Sequence, residues 1–155
     1  MEALKILLVD DEELVLHALE RTLTRRGVVV TAISSPLAAL ELLPNGTFDA
    51  VVSDLGMPDV PGLELLARCR AVRPDLYRVA LTGAATLDAA LRALNDRVTD
   101  KFFLKPWSGD DLDALLGELR VRRQRRQPYS PDPTWTTRVP DAWRQALGLL
   151  GTRND

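Results

Sequence analysis

Cysteine and histidine are almost absent from these 155 residues: Cys69 and His17 each stand alone. One cysteine leaves no internal disulfide and no cysteine-based zinc site. A single histidine removes His–Cys metal clusters and catalytic centres built on several histidines. No apolar run approaches the roughly 18–20 residues that a membrane-spanning helix needs. The opening MEALKILLVDDEE turns acidic almost at once and lacks the basic head and cleavage site of a signal peptide. Neither G-x-G-x-x-G nor G-x-x-x-x-G-K-[ST] occurs, so a nucleotide-binding enzyme built on those loops is excluded. No repeat recurs at the 20–50-residue periods of solenoids. A cytoplasmic protein with no membrane attachment is the expectation.

Hydrophobic residues at 46% beside 27% charged residues are ordinary for a globular protein and exclude disorder throughout. The length fits one domain with an appendage. Charge divides the chain unevenly. Residues 1–119 carry 12 Lys and Arg against 19 Asp and Glu, a balance of −7, whereas 120–155 carry 8 against 3, a balance of +5. An acidic body and a basic tail have different tasks.

The body alternates short apolar runs with longer amphipathic stretches. Lys5–Val9 is continuously apolar after its lysine, as a strand buried on both faces must be. A helix is expected over 12–26, ended by Gly27, then a β-branched strand over 28–32. Ser35-Pro36 is an N-cap followed by proline at the first helical position, and Pro44-Asn45-Gly46 closes that helix. A strand at 49–53, a helix at 61–72 and a strand at 77–81 follow. Thr86 is expected to cap a helix at Leu87–Asn95. A short strand at 102–104 precedes a last helix opened by Ser108 and Asp111 as a capping box. Five β-then-α units imply an α/β fold, a doubly wound five-stranded parallel sheet with right-handed crossovers.

In such a sheet, ligands sit outside the carboxyl ends of the strands. Those ends carry Asp10 and Asp11, Asp54, Thr82 and Lys105. Three carboxylates, a hydroxyl and an ammonium therefore converge, and core packing asks for none of them. Carboxylates held close repel and call for a cation, and an all-oxygen set suits Mg²⁺. Singly, each residue has a plainer explanation. Asp10 and Asp11 fit an exposed acidic helix start, Thr82 a turn and Lys105 a solvated lysine; together those explanations are improbable. His17 and Cys69 are read as structural.

Four motifs fall in order at these strand ends: LLVDDE at 7–12, SDLGMPDVPGLELL at 53–66, ALTG at 80–83 and FFLKPW at 102–107. Over residues 3–124 the chain resembles the receiver domain of bacterial two-component response regulators. The resemblance implies a flavodoxin-like strand order, 2-1-3-4-5. It implies Asp54 as the phosphoacceptor, attacking phosphorus to form an acyl phosphate. Mg²⁺ would be held by Asp54, by Asp11 directly, by Asp10 through water and by the Gly56 carbonyl. Lys105 would pair with a phosphoryl oxygen, Thr82 would be the switch hydroxyl, and Phe102 would hold the aromatic switch position. Lys105-Pro106 is where the family often has a cis bond. A sensor histidine kinase or phosphotransfer protein would supply the phosphoryl group, and the chain would assist only its own phosphorylation and dephosphorylation.

Two positions depart from the family's habit. Gly56 and Ala84, two residues after Asp54 and Thr82, commonly bear larger side chains that govern access of water to the acyl phosphate. The expected receiver unit is 1–126. Residues 127–155 are expected to form a Pro-rich linker and a short amphipathic tail with Val139, Trp143, Leu147 and Leu150 on one stripe, docking within a possible homodimer. The arginines at 120–126 lack a recognition helix or aromatic platform beside them, so DNA binding is not expected. The competing reading is the receiver portion of a larger transcription regulator or cyclic-di-GMP phosphodiesterase. A phosphohydrolase with an Asp nucleophile is disfavoured, because Asp10 and Asp11 are adjacent rather than separated by one residue.

Overall fold

The computed structural model describes residues 2–44, 46–57 and 61–125. The tail expected at 127–155, with Trp143 and its apolar stripe, lies outside the described residues. Elements follow in the order β1 (Lys5–Val9), α1 (Glu13–Thr24), β2 (Val29–Ile33), α2 (Pro36–Leu42), β3 (Ala50–Asp54) and α3 (Gly62–Val72). Then come β4 (Tyr77–Thr82), a 3₁₀ turn (Ala84–Thr86), α4 (Leu87–Asn95), β5 (Lys101–Leu104) and α5 (Gly109–Arg125). All strand pairs are parallel, in the order β2-β1-β3-β4-β5. The fold is the doubly wound parallel sheet that the alternation implied, in the flavodoxin-like order that the resemblance implied.

Why the central strands read as unbroken apolar runs is visible in what each side meets. Along β1, Ile6 and Leu8 join the core under α1 and α5, together with Leu16, Leu19, Leu23, Leu112 and Leu116. Leu7 and Val9 join the other core, under α2, α3 and α4, with Leu40, Leu65, Leu66 and Ala90. The same period-two split separates Val52 from Val51 on β3 and Val79 from Ala80 on β4. Two apolar layers therefore sandwich the sheet.

Local signals placed most boundaries. Ser35 accepts from the Ala38 amide at 3.3 Å, and Ser108 and Asp111 exchange reciprocal backbone bonds at 3.1 and 3.0 Å. Gly27 takes φ +79°, the left-handed conformation that ends α1, and its amide bonds the Thr24 carbonyl. Val28, expected to begin β2, instead donates to the Leu23 carbonyl and is buried against α1, so β2 starts one residue later. β3 and β4 each run one residue further than expected, to Asp54 and Thr82. The cause is the ladder itself: Asp54 pairs with Leu81, and Thr82 pairs with Leu104. Both residues are held as strand, not loop.

Thr86 corrects a second expectation. It occupies the N-cap position of α4, yet its side chain makes no capping bond to that helix. The arginines near the end of α5 also do more than meet solvent. Arg123 pairs with the buried Asp49 carboxylate and bonds the carbonyls of Glu2 and Ala3. Asp49 in turn accepts the Lys5 amide at 2.8 Å, so α5 is fastened to the starts of β1 and β3. Arg122 lies over the Tyr77 ring at 4.7 Å.

Candidate functional site

Asp10 follows β1 directly and is almost fully buried, at 1% exposure. One carboxylate oxygen accepts the Glu12 amide at 3.0 Å, which turns the chain into α1. Its other oxygen, Oδ2, is buried and has no hydrogen-bond partner among the described residues. Such an orphan is costly unless something occupies it. Burial, then the neighbouring Asp54 and Asp11 charges, push the Asp10 carboxyl up to about 6; the Glu12 amide and Lys105 act against that rise.

Asp54 ends β3 and is buried at 5%. Asp11 is exposed beside it, and Asp10, Asp11 and Asp54 offer oxygens that all lie within 4.8 Å of one another. This is the convergence expected from strand-end positions alone. Three carboxylates with an unpartnered buried oxygen among them make a hard-oxygen donor set suited to Mg²⁺. Lys105 approaches from beyond β5: its Nζ is 3.0 Å from Asp54 Oδ1 and 3.9 Å from Asp10 Oδ2. The ammonium thus pairs with Asp54 and leaves the Asp10 orphan beyond hydrogen-bond reach. The Lys105-Pro106 bond is cis, as the family resemblance implied.

Gly56 is exposed, and a Cβ there would lie 3.7 and 3.9 Å from the two Asp54 oxygens. Any larger side chain at 56 would therefore stand against the carboxylate. Thr82 is fully buried. Its hydroxyl bonds the Gly83 carbonyl at 3.1 Å and the Thr86 hydroxyl at 2.5 Å. So the structure brings Asp10, Asp11, Asp54 and Lys105 into one cluster, with Gly56 beside it, while the Thr82 hydroxyl is engaged with the β4–α4 turn. Phe102 is half-buried and packs against the α2–α4 core. His17 is exposed on α1, 3.7 Å from Glu20, and Cys69 is a buried core side chain.

Two supporting residues escaped the sequence reading. At Gly62, the first residue of α3, a Cβ would fall 2.1 Å from the Asp54 carbonyl oxygen and 2.7 Å from Leu55 Cα. Only glycine lets α3 start so close behind Asp54. The signal was the Pro61-Gly62 pair, which reads as a plain helix start. The other is Thr86, whose hydroxyl holds that of Thr82. Beside Lys105 lies a groove of about 500 Å³ lined by Val15, Lys105, Pro106 and Trp107. Among the described residues no helix is long and apolar enough to cross a membrane.

Comparison with known proteins agrees with this geometry. The family model described as the response regulator receiver domain matches residues 6–117. The response regulator MprA of Mycobacterium sp. (strain KMS) is 33% identical over 124 residues, 80% of this chain and 52% of the relative. The C4-dicarboxylate transport transcriptional regulatory protein DctD of Rhizobium meliloti is 33% identical over 146 residues, 94% of this chain and 31% of the relative. The chain thus spans about half or less of the length of these curated relatives. Among solved structures, a response regulator receiver domain protein from Clostridium thermocellum superposes with TM-score 0.73 at 28% identity. That match covers 78% of this chain and 97% of the other. The signal receiver domain of an HD domain-containing protein from Pseudomonas fluorescens Pf-5 gives 0.74 at 28%, covering 83% and 96%.

Proposed function

The chain belongs to the response regulator receiver family, and from that premise we propose that it is a phosphorylation-dependent switch that accepts a phosphoryl group on Asp54. The observation that carries the reading is the buried Asp54 carboxylate, 3.0 Å from Lys105 Nζ and grouped with Asp10 and Asp11. Asp54 is the nucleophile. Lys105 fixes the carboxylate oxygen it touches and offers its charge to the incoming phosphoryl oxygens. Mg²⁺ would be held by Asp10, Asp11 and Asp54 with the Gly56 carbonyl, and when bound it offsets phosphoryl charge. The orphaned Asp10 oxygen supports that ligand set.

The phosphodonor is a histidine kinase or a phosphotransfer protein, meeting the chain in the cytoplasm. The apolar groove beside Lys105 supports its approach from the α1 side. Chemistry is confined to the chain's own aspartate; no external substrate is turned over. The receiver unit is taken as 1–126, with 127–155 appended to it. Phosphorylation adds roughly 1.5–2 negative charges at Asp54, which Thr82 and Phe102 relay to the α4–β5 side.

A second reading makes the chain the receiver of a larger protein. It is favoured by the length of MprA and DctD and by the likeness to a receiver from an HD domain-containing protein. A transcription regulator or a cyclic-di-GMP phosphodiesterase would be the whole. Whether the gene continues past Asp155 distinguishes the two.

The test of the proposal is labelling by radioactive acetyl phosphate. One label per chain is expected, dependent on a divalent cation and absent from Asp54→Asn. Stoichiometric labelling of Asp54→Asn overturns the assignment of the nucleophile, and undiminished labelling in excess chelator overturns the metal role.

A further inference from the structure

The hydroxyl of Thr82 has little freedom except rotation about its own side chain. The backbone around it is pinned to the end of β5, since Thr82 pairs with Leu104 in the ladder and its carbonyl accepts the Lys105 amide at 2.9 Å. A switch at this residue is therefore a change of rotamer, and what holds the rotamer sets the switch. In this structure the holder is Thr86. The two hydroxyls meet at 2.5 Å, and each also reaches the Gly83 carbonyl, at 3.1 Å from Thr82 and 3.5 Å from Thr86.

A separate fact shows that this contact is not incidental to capping. Threonine at an N-cap ordinarily turns its hydroxyl to the free amides of the helix it begins. Thr86 sits at that position of α4 and makes no such bond. The short turn Ala84–Thr86 instead folds its hydroxyl back over Thr82.

We propose that Thr86 is a positioning residue of the switch: it latches the Thr82 hydroxyl in the resting arrangement, and a phosphoryl group at Asp54 must break that latch to recruit Thr82. This rests on the reading of Asp54 and Thr82 given above and adds to it the group that opposes the change. Once Thr82 turns away, the half-exposed Thr86 hydroxyl is resolvated by water, so its bond counts in the resting state alone. Thr82 keeps the Gly83 carbonyl as acceptor when Thr86 is lost, so no buried hydroxyl is stranded.

The test is the affinity of the full chain for beryllofluoride in the presence of Mg²⁺. Thr86→Val, which keeps the shape and removes the hydroxyl, is expected to bind about 3- to 10-fold tighter, the range a single net hydrogen bond supports. Thr86→Ser is expected to restore the wild-type affinity. In a Thr82→Ala background, Thr86→Val is expected to change nothing, because the latch is already gone. Unchanged affinity for Thr86→Val, or an equal shift in both backgrounds, overturns the latch while leaving the receiver reading intact. Beryllofluoride binding that is indifferent to Asp54→Asn overturns the reading of Asp54 and the latch with it.

Discussion

The backbone amide of Lys105 donates to the carbonyl of Thr82 across 2.9 Å. One hydrogen bond thus ties the residue whose ammonium meets the Asp54 carboxylate to the residue whose hydroxyl is engaged by Gly83 and Thr86. The lysine and the threonine come from adjacent strand ends and share a fixed backbone, so only their side chains have room to respond to a charge at Asp54.

Replacing Lys105 by Met, similar in length but uncharged, is expected to slow phosphorylation by acetyl phosphate by at least tenfold without unfolding the chain. The 3.0 Å contact with Asp54 is lost, and the partly exposed side chain carries little core packing. Initial labelling rates and a urea melt, taken together, check both halves.

Asp10 should make the metal-free chain depend on pH. Its carboxyl titrates near 6 when folded, above the ordinary 3.8, so the folded state holds a proton that the unfolded chain releases first. Stability is then greatest at low pH with respect to this group and falls as pH rises from about 4 to about 6, by up to ~3 kcal/mol. Asp10→Asn is expected to gain about 1–3 kcal/mol at pH 7 and to lose Mg²⁺ affinity. Urea melts in chelator at pH 4.5 and 7, compared between the two proteins, read the difference; a parallel pH response would refute it.

Gly62 and Gly27 should fail differently. Gly62→Ala places a methyl against the Asp54 carbonyl and Leu55 Cα, both backbone, and is expected to cost about 3 kcal/mol or more and to depress phosphorylation. Gly27→Ala meets nothing within 4 Å among the described residues and suffers only the left-handed φ, about 1 kcal/mol, with phosphorylation kept. Melts and labelling on both variants separate steric from conformational need.

Asp49→Ala strips the Lys5 amide and Arg123 of a shared acceptor and is expected to destabilise by roughly 3 kcal/mol. Arg123→Ala, which leaves Asp49 its bond to Lys5, should cost less. Equal losses in denaturant melts would mean that the pair acts only through α5.

Side chains at position 56 should set the lifetime of the acyl phosphate. A Cβ there stands 3.7 Å from the carboxylate, near enough for a bulky residue to shade it. Several-fold changes in phosphate release across a series at 56 are expected, with phosphorylation retained; a flat series would place control of water elsewhere.

Much of this architecture was legible because period-two burial on both faces leaves a strand no residue to spare for polarity. That is why Lys5–Val9 falls where it was read. The strand ends were harder. Asp54 and Thr82 are polar, and polarity reads as the end of a strand, yet the ladder to Leu81 and Leu104 carries both into the sheet. Thr86 misled because a threonine before a helix favours capping by default, and only the nearby Thr82 hydroxyl outbids the amides. Asp49 and Arg123 lie 74 positions apart, and no local pattern links them. Gly62 read only as a helix start after Pro61, because sequence shows a missing side chain but not the carbonyl that requires it to be missing.

Among the described residues the two cores share no side chain: Trp107 packs with the α1 and α5 layer, and Phe102 with the α2–α4 layer. On the proposed function, the sheet would be a wall that meets its phosphodonor on the α1 and α5 side and carries Phe102 on the other. Val15 and Trp107, in the groove beside Lys105, could then be rewritten without disturbing Phe102 on the far side.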